Sequence, residues 1–268
     1  MSTGPKNATT ARGGKRFYSW RNENYWSVTT IIGGGVPKPA LLPWGIKMVA
    51  EAAVDMADSL PAMVARDRDE AIRYLKGSPY AKRDAAGDLG TEVHNAVEAH
   101  SLGKPMPPWS DTVRPYMESF EVFLADFSPV FSATEASVYN RTERYAGTLD
   151  SIVTLTLPLH DTAGSFVLDV KSGKGIYPEV GLQLAAYRYA EFIGLPDGSE
   201  APMPQVDGAL GLHLTPLGYR LIEVRADRDV FAAFLYAREV FRWQQETSKT
   251  VLGTEYGMNA TEDQGVLV

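Results

Sequence analysis

Asp169 and Lys171 stand two residues apart in the run Phe166-Val167-Leu168-Asp169-Val170-Lys171-Ser172-Gly173. On a strand, a period of two points both side chains to one side of the sheet. A carboxylate and an ammonium buried together at a strand end cost free energy unless something compensates them. A divalent cation on the aspartate and a phosphate near the lysine would do so. A second carboxylate, Asp150, closes Gly147-Thr148-Leu149-Asp150 at the start of another apolar run. Two further pairs lie four apart and share a helical face: His94 and Glu98 after Gly90-Thr91, and Gln183 and Tyr187 around Leu184-Ala185-Ala186.

These residues need elements to hold them. Alternation and turn residues predict strands at 131–139, 145–157 and 165–171, with a turn around His160 to Gly164. A helix over 180–193 carries Gln183 and Tyr187, and a helix over 88–101 carries His94. A loop over 195–205 leads to a hairpin of 207–214 and 219–224 turning at Pro216-Leu217-Gly218. Asp227 caps a last amphipathic helix through Gln245. Upstream, 17–32 reads as a hairpin or strand ended by the flexible triple glycine 33–35. Helices follow over 41–60 and 67–76, and Asp111 is a candidate cap for one ending at Phe127. The implied domains are a disordered 1–15, a hairpin and helical region over 16–128, a core over 129–246 and a loose tail from 247, with 16–246 as one structural unit. The fold class is α/β (α+β): a mixed sheet flanked by helices, with an N-terminal helical region.

A chain of 268 residues, 44% hydrophobic, can bury one sizeable core. It has no apolar run of about 18 residues, so no membrane span is expected. Residues 1–15 lack the apolar segment of a secretory signal, and a cytoplasmic protein is the expectation. With no cysteine, disulfides, thiolate zinc sites and iron–sulfur clusters are excluded. A net charge of −7 argues against coating nucleic acid by bulk electrostatics, but not against a local basic groove around bound cations.

The ordered set Gly90…His94, Gly147…Asp150, Asp169-Val170-Lys171 and Gln183…Tyr187 resembles the RecB-like exonuclease branch of the PD-(D/E)xK nuclease superfamily, over roughly residues 88 to 190. The restriction-endonuclease-like fold follows from that resemblance. It implies a metal-dependent deoxyribonuclease with Asp150, Asp169 and His94 binding one or two Mg²⁺ or Mn²⁺ ions, helped by the Val170 main-chain carbonyl. Imidazole with carboxylates suits Mn²⁺ better than Mg²⁺. Lys171 would position the attacking water or stabilise developing charge. Glu98 would orient His94, and Gln183 and Tyr187 would brace a ligand or touch the substrate backbone. Glu135 matches a glutamate of relatives, and Lys174 and Arg188 are candidate phosphate contacts. The resemblance further implies DNA as partner, in recombination, repair or replication, perhaps in a bacteriophage and then in the host cytoplasm, beside a recombinase, single-strand-binding protein or helicase. Polarity, strand preference and oligomeric state stay open.

The chain departs from the family pattern twice. Leu149 stands before Asp150 where the superfamily name has proline, and the four cysteines of the CRISPR-adaptation relatives are absent. Each motif also has an ordinary alternative: a His–Glu helix pair, an Asp–Lys salt bridge, a chance Gln–Tyr pair. At the level of function, the alternatives are a structure-selective endonuclease and an inert DNA-binding module on the same fold.

Overall fold

The computed structural model describes residues 8–10 and 14–256. Strands β1 (Ala8–Thr10), β2 (Arg16–Trp20) and β3 (Glu23–Ser27) pair antiparallel in succession. The expected disorder of 1–15 is thereby corrected at Ala8–Thr10; the rest of that expectation on 1–7 and 11–13 lies outside the described residues. Alternation buries Tyr18, Trp20 and Tyr25 against Tyr139 and Phe192.

Helix α1 (Val28–Gly35) replaces the expected end of the strand. Its β-branched run is a poor helix former. The Ser27 hydroxyl accepts the Thr30 N–H at 3.0 Å, however, and Val28, Ile31 and Ile32 bury one face. The glycines are its last turn, not a flexible connection. A Cβ on Gly34 would lie 2.6 Å from a Phe241 ring carbon, and one on Gly35 would overlap the Ala237 carbonyl. Their bare backbones let α1 press against the last helix.

Helices α2 (Leu41–Asp55), α3 (Leu60–Arg66) and α4 (Arg68–Ser101) follow. The segments expected as separate helices at 67–76 and 88–101 are one 34-residue helix. Asp67 caps it through the N–H groups of Asp69 and Glu70. It runs through Gly77, Pro79 and Gly87 against local propensity, and packs on α2 and α3. Helix α5 (Arg114–Phe127) starts without a side-chain cap; Asp111 pairs with Arg114 at 3.2 Å instead.

The rest of the chain builds β4 (Val130–Asn140), β5 (Tyr145–Leu155), β6 (Gly164–Lys171), α6 (Glu179–Arg188), β7 (Phe192–Gly194), β8 (Glu200–Pro202), β9 (Gly208–Thr215), β10 (Gly218–Glu223) and α7 (Arg228–Gln245). The expected loop over 195–205 therefore contains an edge strand, and the expected helix to 193 ends early. The described strands form one mixed sheet with order β1-β2-β3-β5-β4-β7-β8; β6 joins β5 to β9, and β10 closes on β9. Helices α1, α6 and α7 cover one core around Val138, Tyr145, Val167 and Ala209. The C-terminal part of α4 and α5 cover another around Val153, Leu168, Val170 and Leu212. The architecture is a mixed α/β sheet flanked by helices.

Two irregularities in this sheet create the site. Along one edge, β5 pairs with β3 only at Tyr145 and Ala146, and with β6 only from Ser151 to Leu155. Residues 147–150 are left without a strand partner on that edge. In addition, the pleat breaks. Leu149 and Ile152 enter the same core although alternation would send residues three apart to opposite faces, and on β4 Ala133 and Ala136 do the same. Between them Glu135 has φ +50°, a left-handed conformation uncommon for a residue with a Cβ. In the β4–β5 register Glu135 and Asp150 both fall between the pairs Thr134–Ser151 and Ala136–Leu149.

Candidate metal centre

The β5–β6 ladder ends at Ser151–Leu168, so Asp150 and Asp169 sit where the two strands part. Val170 donates its N–H to Asp150 Oδ2 at 2.7 Å across this fork. Its carbonyl lies on the same side of an extended strand and opens on the same gap. Helix α4 brings His94 over the fork, with Nδ1 3.7 Å from Asp150 Oδ2. That is too long for a direct hydrogen bond. Glu135 completes the set: ligand atoms of His94, Glu135 and Asp150 all lie within 4.8 Å of one another. Ligands on an ion with bonds of about 2.1 Å lie about 3.0 Å (cis) to 4.2 Å (trans) apart, so the three would close by up to about 1–2 Å to share an ion. One imidazole and two carboxylates suit Mn²⁺ or a comparable borderline-to-hard cation.

The charges fit that reading. Burial, the Asp150 carboxylate and the Glu98 carboxylate push Glu135 up to about 8. Asp169 is buried, and its desolvation and the nearby Asp150 push it up to about 6 in spite of the lysine against it. Lys171 places Nζ 2.7 Å from Asp169 Oδ1 and 2.6 Å from Oδ2. Burial pulls this ammonium down, but Asp169 and Asp150 outweigh it and hold it above its ordinary range. Asp169 Oδ2 is sealed from solvent and makes no well-aligned hydrogen bond. A cluster of carboxylates held this close, with a single ammonium among them, is short of positive charge.

Helix α6 braces the fork. Gln183 Nε2 donates to Asp169 Oδ1 at 3.0 Å and to the Tyr187 hydroxyl at 3.4 Å. The Tyr187 ring fills the place of a Gly147 side chain: a Cβ there would stand 2.5 Å from Cε1. Gly147 is thus needed by packing, which the spacing to Asp150 alone does not reveal.

Two sequence expectations are not met as stated. Glu98 contacts Lys104 at 3.5 Å and faces Glu135 rather than holding His94 by a hydrogen bond. Arg188 spends its guanidinium on the carbonyls of Ala226, Val206 and Asp207 at 3.0–3.3 Å, tying α6 to the approach of β9, away from the fork. Lys174 is exposed in the loop between β6 and α6, as a candidate phosphate contact would be. Other residues escaped the sequence reading. Arg16, Tyr18, Thr29 and Thr148 line the same cleft of about 400 Å³ as His94, Glu135 and Asp150, and the Tyr18 hydroxyl meets Thr148 Oγ1 at 3.0 Å. A larger cleft, about 600 Å³, lies beside Arg188 and Phe231 and holds none of the candidate ligands.

No known protein family matches this chain, and no curated protein sequence matches it. Among solved structures it is similar to the crystal structure of SSO0001, at 16% identity and a TM-score of 0.29, over 78% of this chain and 88% of that one. The described residues contain no helix long and apolar enough to cross a membrane.

Proposed function

We propose that this protein is a metal-dependent deoxyribonuclease of the RecB-like type, an exonuclease hydrolysing DNA phosphodiester bonds. The observation that carries the reading is the convergence of His94, Glu135 and Asp150 within 4.8 Å, beside a buried Asp169–Lys171 pair, at a split in the sheet. Hydrolysis of a phosphodiester needs an activated water and stabilisation of negative charge on the phosphoryl oxygens, and a bound Mg²⁺ or Mn²⁺ supplies much of both. His94, Glu135 and Asp150 would hold such an ion, with Asp169, held by Lys171 and Gln183, next to them. Lys171, held against Asp169, would orient the water or the phosphoryl oxygen. Gln183 keeps Asp169 in place. Glu135 belongs with the ligands because it shares the group with His94 and Asp150. DNA recombination, repair or replication in the cytoplasm, a phage-infected one included, is the setting this chemistry serves.

Cleavage of end-labelled linear and closed circular DNA, with Mg²⁺, Mn²⁺ or EDTA, tests the proposal. Metal-dependent loss of linear DNA alone, absent in Asp150→Asn, is the expected result. Nicking of circles would replace the exonuclease by an endonuclease. Metal binding with no cleavage of any DNA would leave a binding module.

A further inference from the structure

His213, on β9, is the register partner of Lys171 across the parallel β6–β9 ladder. It is 3% exposed, and both ring nitrogens are engaged. Arg220, opposite it on β10, places a guanidinium nitrogen 3.0 Å from Nδ1. A guanidinium only donates, so Nδ1 accepts and the ring proton sits on Nε2. That N–H meets the Gly173 carbonyl at 2.7 Å. Gly173 is two residues beyond Lys171, in an exit that contains two glycines before Ile176 packs against the core. Ser172, between them, turns its hydroxyl towards Gly90 of α4, 3.6 Å from where a Cβ would stand. Gly90 is one turn before His94.

We infer that His213 is a positioning residue: its Nε2–H, oriented by Arg220, pins the chain just after Lys171 and so holds the ammonium on Asp169 and the loop against the His94 helix. Its catalytic consequence rests on the nuclease reading; the pinning itself does not. The side chain was not among the sequence candidates because nothing in the spacing links position 213 to position 173.

Hydrogen exchange of the 172–177 amides separates the two. His213→Leu keeps volume and removes the donor, whereas His213→Gln retains an amide N–H near the Nε2 position. Exchange in that segment should rise about tenfold or more in the leucine variant and stay near wild type in the glutamine variant. On linear DNA with Mn²⁺, kcat should fall about tenfold in His213→Leu with KM unchanged, and recover in His213→Gln. Should the leucine variant fail to fold, exposed Arg220→Met frees Nδ1 and should loosen the same amides to a lesser degree. Unchanged exchange in His213→Leu and Arg220→Met, or equal effects of leucine and glutamine, would overturn the inference. Wild-type protein that cleaves no DNA would remove the nuclease reading, and the exchange contrast would then decide the pinning alone.

Discussion

At the scale of single residues, Asp169 and Lys171 form a pair that neither can leave cheaply. Removing one partner of a buried ion pair strands the other charge, an effect of several kcal/mol when both are sealed. Lys171 keeps some solvent contact, so Lys171→Ala should cost about 2–3 kcal/mol in urea unfolding, besides about two decades in cleavage rate. An unchanged midpoint would mean that the pair is open in solution. Glu135 sets a pH dependence of its own. Its carboxyl lies near 4.5 in an unfolded chain and about 8 here, so between those values the folded protein keeps a proton that the unfolded chain gives up. The metal-free protein should lose stability as pH rises from about 5 to 8. Glu135→Gln should flatten that slope in thermal melts across the range. Metal affinity should climb over the same window, because the ion displaces that proton.

At the scale of elements, the two motif glycines differ in what the fold asks of them. Gly147 on β5 gives way to the Tyr187 ring of α6, and an added methyl has nowhere to go. Gly147→Ala should destabilise by about 1–3 kcal/mol, as overpacked cores do, and should shift Gln183 away from Asp169. Gly90 lies inside α4 and meets only the Ser172 hydroxyl at 3.6 Å. Gly90→Ala should be neutral or stabilise by about 0.5–1 kcal/mol through helix propensity. Comparable losses for both would contradict the packing described. The break in the pleat at Glu135 and Asp150 belongs to this scale as well. A regular β4–β5 ladder would send these neighbours to the faces that period two dictates; the left-handed turn at Glu135 re-aims them.

For the whole molecule, the N-terminal hairpin and the strands carrying Asp150 and Asp169 share one sheet, and α4 spans from the α2–α3 region to the fork. A cation at the centre therefore ties the α4 helix to the paired strands β4 and β5. Mn²⁺ at about a hundred times its dissociation constant should raise stability by about 2.7 kcal/mol. That gain should appear as a single shifted transition in calorimetry, and should vanish in Asp150→Asn. Two transitions, only one of them moved by Mn²⁺, would show that the helical region and the sheet unfold apart.

What the amino-acid sequence determined by itself is local. Alternation placed β4, β5, β6, β9 and β10 to within two residues, and the Asp227 cap placed the start of α7, since a period of two and an N-cap are properties of neighbouring residues. The candidates His94, Asp150, Asp169, Lys171, Gln183 and Tyr187 were legible as ordered residue types. Tertiary structure decided the rest. It made α1 a helix by burying Val28, Ile31 and Ile32, and fused two expected helices into α4. It took Arg188 out of the site by surrounding it with carbonyls. It also put Glu135 and Arg16 in one cleft and His213 beside Lys171, through contacts between strands and helices far apart in the chain. Such contacts leave no period in the sequence, because they depend on register between strands and on which edge of β5 is left open.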